Sequence, residues 1–139
     1  MIKDLTIEDK NRFLYLGSLI KSGFGNTNDL RKILESESEY IVGHYENEEL
    51  VAFLYYSKSF DTIDIIDIVV DEPYRRRGIA TELIRHVVNN YGDINTLFLE
   101  VNEKNRSAIK AYEKNGFEVI SRRKNYYGKD DALIMKRDV

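Results

Sequence analysis

The chain has 139 residues, a formal net charge of -3 and 32% charged residues, which is ordinary for one soluble domain. Its slight acidity argues against general nucleic-acid binding, which needs a basic face. There is no cysteine, which excludes disulfides, thiolate metal sites and a cysteine nucleophile; His44 and His86 lack the spacing of a metal motif. No segment has the apolar length of a signal peptide or membrane span, so we expect a single cytoplasmic domain over residues 1–139.

The first half of the chain combines one helical pattern with several strand patterns. It opens with a short strand, a cap near Thr6 and an amphipathic helix with apolar positions at Phe13, Leu16, Leu19 and Ile20. The polar stretch KSGFGNTND is predicted to be a loop. Two strands, EYIVGHY and ELVAFLYYSK, then form a hairpin, and a third strand, TIDIIDIVVD, ends before the only proline.

The second half alternates strands and helices. Apolar residues from Ile79 onward have helical spacing and stop near Gly92, TLFLEV follows as a buried strand, and RSAIKAYEKNGF is a helix closed by Gly116. The tail contributes two further strands, EVISRRKNYY and ALIMKR. These patterns predict a mixed α/β domain.

The turn between TIDIIDIVVD and the next helix concentrates three arginines directly before a glycine. A helix N-terminus already carries partial positive charge and free N–H groups, so cations there are unfavourable unless an anion binds. Arginine forks suit phosphate oxygens, which favours a pyrophosphate ligand. A solvated basic turn is the alternative, but its position after a strand and before a helix argues against it.

This turn contains Arg75, Gly78 and Ala80, and it resembles the [QR]-x-x-G-x-[GA] element of the GCN5-related N-acetyltransferases (GNAT). The stretches IDIVVDEPYRRRG and LEVNEKNRSAIKAYEKNGF and the closing pair of strands follow in that family's order. The resemblance implies the GNAT fold, with a mixed sheet of about six to seven strands and about four helices, and acetyl-CoA as cosubstrate. The residues it implies for acetyl-CoA binding are Ile68, Val69, Val70, Arg75, Arg76, Arg77, Gly78, Ile79, Ala80, Thr81, Asn105 and Tyr112.

Two side chains are candidates for the chemistry of acetyl transfer. Glu100 lies within the apolar strand TLFLEV, where a carboxylate is costly without a partner or a role, and the resemblance implies that it is the general base. Tyr112 lies on the same helical face as Ala108 and Ile109, and the resemblance makes its phenol the general acid for the leaving thiolate. A strand-end salt bridge for Glu100, a core packing role for Tyr112 and a helix cap for Asn105 remain open.

The sequence also bears on the acceptor. Within the family, the segment after TLF resembles the ribosomal-protein alanine N-acetyltransferases, which implies transfer to the N-terminal α-amine of a protein or peptide, including a ribosomal protein. Direct transfer in a ternary complex is expected, because the chain has no cysteine to form an acyl-enzyme. Tyr126, Tyr127 and Asp131 are candidates for holding that acceptor, although strand aromatics and a turn aspartate are also ordinary structural residues. A lysine or small-amine acetyltransferase, or a non-catalytic acetyl-CoA sensor, are the alternatives, and the oligomeric state is left open.

Overall fold

The structure is a computed structural model that describes residues 1–139, and it contains one seven-stranded sheet with helices on both faces. The strands are β1 (Ile2–Asp4), β2 (Glu39–Glu46), β3 (Glu49–Ser59), β4 (Thr62–Val70), β5 (Thr96–Asn102), β6 (Glu118–Tyr127) and β7 (Asp130–Asp138). The helices are α1 (Lys10–Ser18), α2 (Phe24–Thr27), α3 (Leu30–Glu35), α4 (Ile79–Asn89) and α5 (Arg106–Lys114). The predicted α/β class and strand number are confirmed. None of the helices is long and apolar enough to cross a membrane.

The main differences from the sequence prediction lie near the N-terminus. Helix α1 ends at Ser18, so Leu19 and Ile20 fall outside it and are exposed, which corrects the predicted apolar face. The predicted loop KSGFGNTND contains the one-turn helix α2, whose Phe24 is buried against Phe13 with ring centroids 5.2 Å apart. Burial of one aromatic ring therefore orders a stretch that its polar composition marks as a loop.

The sheet separates two apolar cores. Helices α4 and α5 cover one face, where the core includes Leu54, Ile63, Ile65, Leu83, Leu97, Leu99 and Val101. Helices α1, α2 and α3 cover the other face, where the core includes Phe13, Phe24, Phe53, Tyr55 and Val69. Each face of the sheet is thus shielded from water by its own helical layer.

The strand order is β1-β2-β3-β4-β5-β7-β6, and β4 and β5 are the only parallel neighbours. Helix α4 connects them, as a parallel connection requires. The carboxyl ends of these two strands therefore meet at one edge of the sheet, and the arginine turn follows directly from β4.

Candidate active site

The two parallel strands separate before they end. Backbone pairing between β4 and β5 runs from Thr62 with Thr96 to Ile65 with Leu99 and stops there. Residues 66–70 of β4 and 100–102 of β5 continue without pairing to each other, so a gap opens between them. Unpaired strand edges expose N–H and C=O groups that a ligand can bind.

A β-bulge in β4 lies at the start of this gap. Tyr56 of β3 is opposite Ile65 while Tyr55 is opposite Asp67, so Ile66 is an extra residue without a partner. Residues on the α4 and α5 face are Ile63 and Ile65 before the bulge, but Ile68 and Val70 after it. The bulge therefore shifts the alternation of side chains by one residue where the strands separate. The candidate residues Ile68, Val69 and Val70 all follow this shift.

The arginine turn has a backbone suited to an anion. Arg76 and Gly78 have positive φ angles of 65° and 76°, whereas Arg75 and Arg77 do not, so the sign of φ alternates along the turn. Such alternation directs successive N–H groups into one concavity. Gly78 is also the N-cap of α4 and offers no side chain to cap it, which leaves the first-turn N–H groups of Ile79, Ala80 and Thr81 available.

The three arginines of the turn have no carboxylate in salt-bridge contact, although the charge of Arg77 acts on Glu46 at the end of β2. Arg75, Arg76 and Arg77 are exposed, and none of them forms a salt bridge. The Nε of Arg75 donates to the carbonyl of Val70 at 2.9 Å, which fixes the turn to the end of β4. Arg77 lies over the ring of Tyr74 at 5.3 Å. The turn thus presents unpaired positive charge at the end of the gap.

The base of the turn is held by a residue that the sequence analysis did not single out. Asp71 is buried and accepts a hydrogen bond from the N–H of Glu72 at 3.0 Å. Its other partners are Nη2 of Arg12 at 3.0 Å and the hydroxyl of Tyr15 at 3.2 Å, both on α1. Asp71 therefore joins α1 to the start of the turn. Its position two residues before a proline is the signal of a cap that could have been found from the sequence.

Glu100 lies on β5 immediately beyond the last pair with β4. Its neighbours Leu99 and Val101 face the α4 and α5 core, so the Glu100 side chain points to the opposite face. The side chain is 32% exposed, and its Oε1 lies 3.5 Å from Nε of Arg123 on β6. Arg123 is itself 53% exposed. Surface ion pairs of this kind contribute less than about 1 kcal/mol, so an acceptor can displace Arg123 from Glu100. The predicted salt bridge and a chemical role are therefore compatible.

Tyr112 on α5 is half-buried and packs against the α4 and α5 core, with its ring 6.0 Å from that of Phe117. Burial raises the pKa of Tyr112 to about 12, with the charges of Asp67 and Tyr127 adding to the effect. The phenol thus keeps its proton throughout the neutral range, as an acid requires. Tyr112 therefore packs against the core and also lies close enough to the gap for the charge of Asp67 to act on it.

The remaining candidates from the sequence are Asn105, Tyr126, Tyr127 and Asp131. Asn105 is the N-cap of α5, since its side chain accepts from the N–H of Ala108 at 3.3 Å. Tyr126 and Tyr127 form an edge-to-face pair at the end of β6, and burial followed by the charge of Glu100 raises the pKa of Tyr127. Asp131 binds Arg122 at 2.8 Å and the N–H of Asn125 at 2.8 Å. Those bonds hold the β6–β7 hairpin, which favours the structural role for Asp131.

A second carboxylate at the gap was not predicted as a site residue. Asp67 is half-buried at the bulge of β4, and burial raises its pKa to about 6. The available signal was an aspartate inside the apolar strand IDIIDIVV, where an uncompensated charge is costly.

Residues 9–117 match the sequence profile of the acetyltransferase (GNAT) family, and the chain belongs to that family. The [ribosomal protein bS18]-alanine N-acetyltransferase of Escherichia coli K12 is 34% identical over 96 residues, covering 65% of each chain. N-alpha-acetyltransferase 50 of Danio rerio is 47% identical over 73 residues, covering 48% of this chain and 44% of that protein. The match to these curated relatives thus spans less than two thirds of their length.

The overall architecture agrees with a solved structure. The crystal structure of the ribosomal-protein-S18-alanine N-acetyltransferase from Escherichia coli superposes with a TM-score of 0.85 and 24% identity. The superposition covers 100% of this chain and 93% of that chain. This agreement confirms the predicted GNAT fold.

Proposed function

We propose that the protein is an N-acetyltransferase that moves an acetyl group from acetyl-CoA to the N-terminal α-amine of a protein or peptide, of the ribosomal-protein alanine type. The observation that carries the proposal is the gap between β4 and β5, which leads directly to the unpaired arginine turn. A long donor with an anionic end and a reactive end fits these two features together. Family membership and the similarity to N-terminal acetyltransferases support the same reaction.

Acetyl-CoA is the donor in this proposal, and its pyrophosphate binds at the arginine turn. Residues 75–81 contribute backbone N–H groups, the N-terminus of α4 and the guanidinium groups of Arg76 and Arg77. Residues 68–70 of β4 offer backbone groups to the pantetheine arm, and one N–H there polarises the thioester carbonyl. Asn105, next to the gap at the start of α5, contributes a further polar contact.

Glu100 and Tyr112 perform the proton transfers. Glu100 takes a proton from the acceptor ammonium through water, and the neutral amine then forms a bond to the thioester carbon. The carbon–sulfur bond of the tetrahedral intermediate breaks, and Tyr112 donates its proton to the departing thiolate. The protonated nitrogen of the new amide then loses its extra proton, which returns to Tyr112 through water. Transfer is direct between two bound substrates, since the chain has no cysteine to carry the acetyl group.

The acceptor is an α-amine in this proposal because of its acidity. An α-amino group with a pKa of about 7.7–8.0 is roughly 10% neutral at pH 7, whereas a lysine at about 10.4 is below about 0.1% neutral. Less work is therefore required of the base for an N-terminus. Tyr126 and Tyr127, half-exposed at the end of β6, supply an aromatic surface for the first residues of the acceptor.

The test is mass spectrometry of peptides incubated with the protein and acetyl-CoA, with the acetylated position mapped by fragmentation. Each peptide has a free α-amine and one internal lysine, and matched peptides have the α-amine blocked or the lysine replaced by arginine. We expect acetylation of the α-amine, strongest for small first residues such as alanine, and no product from the α-blocked peptide. Acetylation of lysine alone would replace the proposal with a lysine acetyltransferase, and saturable acetyl-CoA binding without transfer to any amine would support a sensor.

A further inference from the structure

Asp67 lies on the face of the sheet that is covered by α1, α2 and α3. Its cross-strand partner is Tyr55, which belongs to the core under α1, α2 and α3, as does Val69 two residues further along β4. Successive side chains of a strand point to opposite faces of the sheet. Because Ile68 beside Asp67 and both neighbours of Glu100 face the α4 and α5 core, both carboxylates point to the opposite side. They lie on the two strands that border the gap.

The Asp67 carboxylate has no partner within the protein. It forms no hydrogen bond to a side chain and no salt bridge, although it is half-buried. Asp71, four residues along the chain, shows the contrast, because its carboxylate is satisfied by Arg12, Tyr15 and a backbone N–H. A partly desolvated carboxylate without a partner costs free energy, and a cationic ligand removes that cost.

The groups that face Asp67 come from every element around the gap. Lys21, in the segment after α1, is the cation whose charge acts on the carboxylate, and it lowers the pKa. The charge of Asp67 in turn raises the pKa values of three phenols, which belong to Tyr55 on β3, Tyr112 on α5 and Tyr127 on β6. Glu100 on β5 acts on Tyr127 as well. Asp67 is therefore an unpaired carboxylate near these three tyrosine hydroxyls at the edge of the gap.

We propose that Asp67 binds the ammonium form of the acceptor and thereby restricts the acceptor to cationic primary amines. This inference rests on the proposed function and assigns to Asp67 a role separate from that of Glu100. Asp67 holds the amine by a charge-assisted hydrogen bond, and Glu100 removes its proton. Neutral amines and hydroxyl acceptors lose that bond and are poor substrates.

The test compares wild type with Asp67→Asn, which keeps the shape of the side chain and removes its charge. Asp93→Asn is the matched control, since Asp93 is an exposed carboxylate in the loop before β5, at the other end of that strand from Glu100. Initial rates with an alanine-initiated peptide and acetyl-CoA give KM and kcat, and calorimetry gives the acetyl-CoA affinity. We expect Asp67→Asn to raise the acceptor KM about 10- to 100-fold, with a smaller effect on kcat and unchanged acetyl-CoA affinity.

The pH profile provides a second readout. Wild-type kcat/KM for the peptide should fall as the pH decreases through about 6, where Asp67 takes up a proton, and this limb should be absent from Asp67→Asn. Asp67→Glu should recover part of the lost affinity, because it restores the charge. An unchanged KM in Asp67→Asn, or a loss confined to kcat, would overturn the inference while leaving the proposed function intact. Absence of transfer by wild type to any amine would overturn both.

Discussion

Ile65 of β4 and Leu99 of β5 form the last backbone pair between the two parallel strands of the sheet. Glu100 follows Leu99 directly, and the bulge at Ile66 follows Ile65 directly. The separation of β4 and β5 therefore opens the gap and places a candidate base, Glu100, and the unpaired Asp67 at its edges. The arginine turn continues from the same strand, so donor and acceptor features are positioned together.

Glu100→Gln tests the assignment of the base. The change keeps the side-chain shape but removes its ability to accept a proton, so we expect kcat to fall about 100- to 1,000-fold with acetyl-CoA affinity retained. Initial-rate kinetics and calorimetry measure the two quantities. Glu118→Gln on β6 is the control, since Glu118 is exposed and lies outside the gap. Equal activity of Glu100→Gln and wild type would remove Glu100 from the mechanism.

Tyr112→Phe tests the assignment of the acid. The ring and its packing against Phe117 remain, but the proton for the thiolate is lost, so we expect kcat to fall about 100-fold. A pKa of about 12 means that the phenol in wild type stays protonated up to about pH 11. Wild-type kcat measured between pH 7 and 10 should therefore show no loss from this group. A kcat for Tyr112→Phe within twofold of wild type would restrict Tyr112 to packing.

Gly78→Ala tests the conformation of the arginine turn. Gly78 has a φ angle of 76° with open space around its Cβ position, so the cost of alanine comes from the backbone alone. That cost is about 1–2 kcal/mol, and we expect the free energy of unfolding and the acetyl-CoA affinity both to decrease. Gly92→Ala is the control, because Gly92 also has open space but no positive φ. Chemical denaturation and calorimetry measure the effects, and equal values for the two variants would argue against strain at Gly78.

Replacing Arg76 and Arg77 together by alanine tests the anion site. Neither side chain forms a salt bridge, so the protein should remain stable while acetyl-CoA binding weakens about 10- to 100-fold. Salt should weaken binding to wild type more than binding to the variant, because screening acts on the lost charges. Arg31→Ala on α3, which lies under the opposite face of the sheet, is the control. Undiminished affinity in the double variant would place the pyrophosphate elsewhere.

Asp67→Asn should also change stability in a pH-dependent way. The pKa of Asp67 is raised to about 6 in the folded protein, so the folded state favours the protonated form and ionisation destabilises it. The penalty is full above about pH 6 and vanishes below the unfolded value near 4. We expect Asp67→Asn to increase the free energy of unfolding by about 1–2 kcal/mol at pH 8 and to have little effect at pH 4. Urea denaturation at both pH values measures this, and a loss of stability at pH 8 would contradict it.

Sequence reasoning predicted the features that depend on local patterns. The α4 helix from Ile79, the Gly116 helix end and the strand before the arginine turn follow from periodicity, caps and turn residues, and the structure contains them. It missed what depends on distant contacts. The α2 helix exists because Phe24 packs on Phe13, and the bulge at Ile66 is visible only through pairing with β3.

The same distinction applies to the candidate site. The arginine turn is a continuous segment with a recognisable composition, so anion binding can be predicted from the sequence alone. The pairing of Asp71 with Arg12 joins residues 59 positions apart. The placement of Asp67 depends on a shift in strand register. Neither has a periodic signature. The unequal satisfaction of these two aspartates becomes visible only when the strands and α1 are in place.

The most direct test of the account is a crystal structure of the protein bound to a conjugate of CoA with the N-terminus of an alanine-initiated peptide. The account predicts the pyrophosphate at residues 75–81, the linkage between CoA and peptide in the gap between β4 and β5, and the peptide nitrogen near Asp67 and Glu100. A conjugate bound outside this gap, or with its pyrophosphate away from the arginine turn, would contradict it.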